Sequence, residues 1–394
     1  MFFNMSLTKP STNNQNSIKS LADKHMKMVD NFVSELQQLD VKLWIEGDHL
    51  RYKAPKETLT HDLLAQMRDR KEEILNFLSQ SNPTNANSHG SLIAQPEKMT
   101  IEKVANLSYK DFVSHYLNPL HPVVITDAIK DWKALSTWTP EYFKKNYGSK
   151  EVTVDAQRYQ LRNFIDLVLA STEEKPCSYL KDTDIPGLFP ELLADIEPTL
   201  LYSQYNRLLS PMLYMPAADP IKQRNAFLEL LIAGQGTKFP ILHFDYWHLH
   251  AFIMQVYGEK EFTLYSPVQT EYLYPVDMSS NRSLIPDIHQ SDLEQFPLFA
   301  KATPLKVIVK PGETIFVPSG WWHTTRMLTP SIAVTMNCLT NSNWDKFSQD
   351  LTRDLVNSLT SSENRQSRLT ILESNISSYL DNLGRLLASL DPNQ

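Results

Sequence analysis

From residue 227 to residue 338 the chain runs through a series of short apolar, β-branched and aromatic stretches, at 227–233, 251–257, 261–265, 305–309, 314–317 and 331–338. Pro311-Gly312-Glu313 and Pro318-Ser319-Gly320 punctuate the later ones. Each stretch is short for a helix and long enough for a strand. Many such strands in succession fold as a sandwich or a barrel. Helical patterns flank this region. Before it, residues 140–147 and 164–170 read as helices, and Val123-Val124-Ile125 as a buried strand. After Trp344, apolar residues recur at helical spacing: Phe347, Leu351 and Leu355, then Leu369, Leu372 and Ile376, then Leu380, Leu383, Leu386 and Leu387.

A small unit precedes the large one. Val29, Phe32, Val33 and Leu36 follow the i, i+3, i+4, i+7 rule of an amphipathic helix. Val41, Leu43 and Ile45 then alternate with Lys42, Trp44 and Glu46, as in a strand. Gly47-Asp48 suits a tight turn, and Leu50, Tyr52 and Ala54 continue on the return strand. Thr60 can cap a second helix whose apolar stripe is Leu64, Met67, Ile74, Leu75 and Leu78. The expected organisation is a disordered Asn/Ser/Thr-rich tail (1–20), an αββα domain (21–80), a flexible linker (81–97), a mainly β domain (98–345) and C-terminal helices (346–394).

Composition removes several function classes. The formal net charge of −7 leaves no basic footprint for nucleic acid. No phosphate-binding GxxxxGK[ST] loop and no GxGxxG fingerprint occurs. Cys177 and Cys338 are the only cysteines, so neither a disulfide scaffold nor a Cys-rich zinc site is available, and a reduced, cytoplasmic setting is expected. No apolar run of about 18 residues predicts a membrane span, and the N-terminus lacks the apolar core of a secretory signal.

The sharpest chemical feature is His243-Phe244-Asp245. Residues i and i+2 of a strand share a face, so His243 and Asp245 can present a nitrogen and a carboxylate oxygen to one ion. A third ligand must come from a later strand, and Trp321-Trp322-His323 supplies His323. Two imidazoles and one carboxylate on one side of a metal leave positions open, the facial geometry of non-haem Fe(II) oxygenases. Taken alone, a His-x-Asp pair is more often only a hydrogen-bonded polar pair; His323, following Pro311-Gly312-Glu313 and Pro318-Ser319-Gly320, tips the reading toward a metal site.

With these residues in place, 98–345 resembles the JmjC/cupin-like family of Fe(II)- and 2-oxoglutarate-dependent oxygenases. Further matching segments are His121-Pro122-Val123-Val124-Ile125, Trp138-Thr139-Pro140-Glu141-Tyr142, Phe189-Pro190-Glu191-Leu192 and Gln255-Val256-Tyr257-Gly258-Glu259-Lys260. The resemblance implies a double-stranded β-helix, a jelly-roll/cupin-like fold with flanking helices. It implies an iron triad of His243, Asp245 and His323, with 2-oxoglutarate and O2 as co-substrates. Lys260 and Thr335 then correspond to residues that hold the distal carboxylate of 2-oxoglutarate, with Tyr179 and Asn337 as further contacts. Without the resemblance, Lys260 reads as a solvated surface lysine and Tyr179 as a half-buried core residue. One departure stands out: many relatives carry a hydroxyl residue three positions before the first ligand, where this chain has Pro240. Tyr246, His248, His250, Trp321 and Arg326 lie beside the ligands and are candidates for the substrate pocket. Structural roles are equally open for His248 and His250.

The segment from Val41 to Pro55, with the Lys71-Glu72-Glu73-Ile74-Leu75 helix, resembles the tubulysin-type N-terminal docking domain of nonribosomal peptide and polyketide assembly lines. That implies a partner, a synthetase subunit or carrier protein, received by strand addition along Leu50, Arg51, Tyr52 and Lys53. The combined expectation is a hydroxylase acting on a carrier-tethered aminoacyl or peptidyl group. The alternatives are a hydroxylase of proteins or free amino acids, and a catalytically silent docking scaffold. The C-terminal helices resemble those that form a homodimer in some relatives; a lid over the barrel's own end is the other reading.

Overall fold

The structure, a computed structural model, describes residues 100–209, 227–277 and 280–359. It also describes residues 380 and 383 and, in the first hundred, residues 32, 33, 36, 41–46, 49–55, 63, 67 and 74. The tail, the linker, the Gly47-Asp48 turn and Thr60 lie outside these residues. The chain divides into two compact units, Met1–Glu97 and Lys98–Gln394.

In the first unit, β1 (Lys42–Glu46) pairs antiparallel with β2 (His49–Lys53), Leu43 opposite Tyr52. Phe32, Val33 and Leu36 are helical and form a buried core with Val41, Met67 and Ile74. Leu43, Leu50, Ala54 and Leu63 pack against it. Leu63, four residues before Met67 and so on the same helix face, is among the residues packed against this core. Leu64, Leu75 and Leu78 lie outside the described residues.

In the second unit two sheets enclose one barrel. The larger has the order β3 (Glu102–Val104), β4 (Val123–Ile125), β12 (Thr314–Val317), β9 (His250–Tyr257), β14 (Ser331–Cys338), β8 (Glu229–Ala233), β7 (Leu180–Asp184). The smaller runs β11 (Leu305–Val309), β10 (Lys260–Tyr265), β13 (Trp322–Met327). From β9 to β14 the chain passes between the two sheets, which winds it into the jelly roll. A separate hairpin joins β5 (Glu151–Val154) to β6 (Gln157–Gln160).

The alternation of side chains on β9 explains both layers. Ala251 and Ile253 point into the barrel, where they meet Phe262, Leu264, Val309, Ile315 and Met327. Phe252, Met254 and Val256 point the other way, into a core shared with Phe316, Val334 and the helices. A strand buried on both faces reads as a continuous apolar run, which is why 251–257 shows no polar alternation. Two helices cover the outer face: α1 (Pro140–Tyr147) and α2 (Leu161–Ala170). The Thr139 side chain caps α1 by accepting from the Tyr142 N–H, with Pro140 in the first turn. The third helix, α3 (Trp344–Leu359), begins two residues before the expected boundary and buries Trp344, Phe347 and Leu351 in the same core. Leu380 and Leu383 join it. Among the described residues no helix is long and apolar enough to cross a membrane.

Candidate metal centre and co-substrate pocket

The segment carrying His243 and Asp245 is extended but belongs to no regular strand. His243 makes isolated bridges to His323 and to Arg282. The backbone pair is reciprocal: His243 N–H donates to His323 O, and His323 N–H to His243 O. This corrects the expectation of a ladder strand; the facing of i and i+2 survives because the backbone at Asp245 is still extended. Leu242 and Phe244 anchor the other side of the segment in a cluster with Tyr265, Leu273 and Trp322. The Phe244 and Trp322 rings meet edge to face at 5.0 Å, and the Trp322 indole N–H donates to Thr270.

His243, Asp245 and His323 therefore converge. Their ligand atoms all lie within 4.8 Å of one another, and His323 Nε2 is 3.9 Å from an Asp245 oxygen. The Nδ1 of His243 faces the carbonyl of Ile241 at 3.3 Å, and that of His323 faces the carbonyl of Trp321 at 3.0 Å. A carbonyl can only accept, so each Nδ1 carries the proton and each Nε2 keeps its lone pair free. Burial and the neighbouring His323 hold the His243 pKa well below the ordinary value, so its ring is neutral at pH 7. Burial raises Asp245, opposed by His323 and by a hydrogen bond from Asn337. A partly buried carboxylate beside two imidazoles is a set that a divalent cation would complete. Phe239 stacks on His243, with centroids 4.6 Å apart and planes at 16°.

A second polar group lies deeper in the barrel. Along β13, His323, Thr325 and Met327 share the inward face; on β10 they sit opposite Leu264, Phe262 and Lys260. Lys260 is fully buried. Its ammonium donates to the Tyr179 hydroxyl at 3.2 Å, and no carboxylate among the described residues pairs with it. Burial lowers its pKa from 10.5 to about 7. Burial raises the Tyr179 phenol, with the Thr325 hydroxyl pulling the other way. A buried cation without an anion is costly, and the donors here suit a carboxylate.

The remaining candidates separate into groups. Thr335 stands on the barrel face of β14, its hydroxyl donating to the Phe252 carbonyl at 3.3 Å. Asn337, on the same face, reaches Asp245 and the His250 carbonyl, which places it at the metal ligand. His250 is wholly buried: its Nδ1 accepts from the Ser319 N–H at 2.9 Å, and its Nε2 meets Ser342 at 3.0 Å. Both nitrogens are thus engaged by the framework. His248 pairs with Asp350 at 2.6 Å, and the Tyr246 hydroxyl donates to Asp354. The Trp321 indole N–H donates to the Leu120 carbonyl at 2.8 Å. Arg326 lies between Glu173 (3.5 Å) and Glu261 (3.9 Å) on the wall of a polar cleft of about 670 Å³. Tyr179, Lys238 and Lys306 also line that cleft.

Sequence reasoning missed four participants. Phe239 and Thr325 are i±2 or i±4 neighbours of ligands, and that spacing was the available signal. Asp350 and Asp354 carry no local signal. They hold a turn in which Trp247 and His248 both take positive φ, 54° and 50°, directly after Asp245.

Residues 109–350 match the model of the cupin-like domain, and residues 29–80 match that of the TubC N-terminal docking domain. The chain is 28% identical over 279 residues to an arginine-specific demethylase of Arabidopsis thaliana, covering 62% of this chain and 58% of that protein. It is 29% identical over 246 residues to lysine-specific demethylase 8 of Xenopus tropicalis (59% and 52%). It is 26% identical over 268 residues to JmjC domain-containing protein D of Dictyostelium discoideum (63% and 58%). The chain thus spans about half the length of these curated relatives.

Proposed function

The chain belongs to the cupin-like domain family, and on that premise we propose that its large unit is an Fe(II)- and 2-oxoglutarate-dependent oxygenase. It hydroxylates an aminoacyl or peptidyl group presented by a nonribosomal peptide assembly line. The observation that carries the chemistry is the presence, in one barrel, of a partly buried His243/Asp245/His323 cluster and the buried Lys260, which has no carboxylate partner among the described residues. The match of residues 29–80 to a docking domain supports the assembly-line setting.

Fe(II), held by His243, Asp245 and His323, would supply with 2-oxoglutarate and O2 the oxidation that places a hydroxyl on a C–H bond. The protein's own part is positional. The carbonyls of Ile241 and Trp321 fix both imidazoles as Nδ1–H tautomers, and Asn337 orients the Asp245 carboxylate. Phe239 covers one face of His243 and excludes water there. Lys260 and Tyr179 receive the distal carboxylate of 2-oxoglutarate, which supplies the anion this pocket lacks. Arg326 and its neighbours in the polar cleft are the candidates to meet the substrate.

A protein substrate is the second reading, favoured by the relatives named as arginine- and lysine-specific demethylases. The intact triad speaks against a silent scaffold. The test supplies Fe(II), 2-oxoglutarate and O2 with aminoacyl-loaded carrier proteins, and reads succinate and the intact mass of the carrier. Gain of one oxygen on the carrier-borne group supports the proposal. Succinate formation only with a protein or peptide substrate moves the function to the second reading, and no turnover with iron bound rejects both.

A further inference from the structure

We infer that the Thr325 hydroxyl is a third anchor for the distal carboxylate of 2-oxoglutarate, completing with Lys260 and Tyr179 a three-donor site inside the barrel. The inference rests on the reading of 2-oxoglutarate as co-substrate and assigns it a contact particular to this chain.

Three observations place it. First, register: the inward rungs between β13 and β10 run His323/Leu264, Thr325/Phe262, Met327/Lys260. Successive inward positions on a strand are about 6.6 Å apart, so Thr325 stands midway between the metal ligand and Lys260. A five-carbon dicarboxylate reaching from the metal to the lysine must pass it. Second, the hydroxyl is not fully engaged: its contact with the Tyr179 hydroxyl falls short of a full hydrogen bond. Thr325 is only 8% exposed, and its Oγ1 makes no hydrogen bond of full geometry among the described residues. A buried hydroxyl without a full hydrogen bond is costly, and a site retains one where a ligand supplies the partner. Its neighbour across the rung, Phe262, offers none. Third, its companions point to one spot. The Tyr179 hydroxyl lies beside Thr325 and takes the Lys260 ammonium at 3.2 Å, so two hydroxyls and a cation share one buried patch. The segment leading into the metal site, Phe239-Pro240-Ile241-Leu242, carries no side-chain donor, so this end of the pocket depends on β13. That segment is tied to Thr325 directly, the Phe239 N–H donating to the Thr325 carbonyl at 2.8 Å.

The test uses the full chain loaded with Mn(II), which binds without turnover, and titrates it calorimetrically with 2-oxoglutarate and with 2-oxobutyrate. The second ligand keeps the metal-binding 2-oxo acid but lacks the distal carboxylate. Thr325→Val preserves shape and removes the hydroxyl. The expected result is about ten-fold or more weaker binding of 2-oxoglutarate, the size of one hydrogen bond to a charged group, with Mn(II) and 2-oxobutyrate affinities unchanged. Thr325→Ser, which restores the hydroxyl, should recover most of the loss. Unchanged 2-oxoglutarate affinity in the valine variant, or an equal loss for both ligands, overturns the inference. A wild-type protein that binds Mn(II) but no 2-oxoglutarate would instead overturn the co-substrate reading itself, and the inference with it.

Discussion

Replacing Lys260 by Met should move stability and co-substrate affinity in opposite directions. The lysine is buried, and burial lowers its pKa from 10.5 to about 7. At pH 7 that desolvation costs the fold on the order of 4 kcal/mol, at 1.36 kcal/mol for each pH unit. The Tyr179 hydroxyl returns about 1 kcal/mol as a hydrogen bond. Met fills nearly the same volume without the charge, so the ligand-free variant should be about 3 kcal/mol more stable, seen as a rise of several degrees in Tm. The pH dependence has a defined sign. Between about pH 7 and 10.5 the unfolded chain keeps the lysine proton that the folded chain has lost, so ligand-free wild type gains stability as pH rises through that window. The Met variant should lack that gain. Binding shows the reverse. A dicarboxylate pairs only with the ammonium form, so wild-type affinity for 2-oxoglutarate should weaken as pH rises above about 7. The Met variant should bind it about 10–150-fold more weakly at pH 7. Scanning calorimetry of metal-free protein and titration of the Mn(II) form read the two effects. A Met variant that is less stable than wild type, or one that keeps full affinity, refutes the argument that this cation awaits an anion.

Three further outcomes follow from the geometry. His243→Ala or Asp245→Ala removes one ligand of three and should cost more than the roughly 10–100-fold in metal affinity that loss of an outer partner brings, abolishing turnover; electron paramagnetic resonance of Mn(II) titrations checks it. Asp350→Ala with Asp354→Ala should release the left-handed turn at Trp247 and His248 and weaken metal binding several-fold, because backbone in that region costs about 1–3 kcal/mol per residue and is held here by those carboxylates. Unaltered metal affinity in the double variant would separate the turn from the site. Deleting Met1–Glu97 should leave metal and 2-oxoglutarate binding intact but slow hydroxylation of carrier-borne substrate at micromolar concentration, since a tether supplies about millimolar local concentration; equal rates would refute a docking role.

The sequence disclosed the residues of the metal centre better than their setting. Alternation placed His243 and Asp245 on one face, and it held although the segment is only bridged, because extended backbone alternates whether or not a ladder continues. What the residues alone did not show was the burial of Lys260, to which only the family resemblance pointed. A lysine is ordinarily exposed, and its burial arises only when β10 is closed between β11 and β13. Thr325 was legible as the residue two beyond His323. That its hydroxyl makes no full hydrogen bond depends in part on Phe262 lying opposite, which is a matter of register. His248 and Tyr246 looked like substrate contacts because they adjoin the ligand motif; the carboxylates they meet, Asp350 and Asp354, lie about a hundred residues on, where only tertiary packing brings them. In the small unit the pattern located Phe32, Val33 and Leu36 and, at the second helix, Met67 and Ile74, all of them buried in its core.

The placement of these costs has a common direction. The large sheet is tightly packed on both faces, and the residues that spend stability are gathered at one region: a cation on β10 with no carboxylate partner among the described residues, an incompletely bonded hydroxyl on β13 and two left-handed residues after Asp245. The metal ligands straddle this region, two from the segment leading into β9 in the large sheet and one from β13 in the small sheet. A cation bound between them therefore ties the sheets together where the protein is least satisfied, and a dicarboxylate supplies the anion that Lys260 lacks. Ligands that bind only the folded form add RT ln(1 + [L]/Kd) to its stability, about 2.7 kcal/mol at a hundred-fold excess over Kd. That is comparable to the cost the site imposes, so on the proposed reading the metal and the 2-oxo acid together would offset it, and a preference for a dicarboxylate would follow from the same incompletely paired groups.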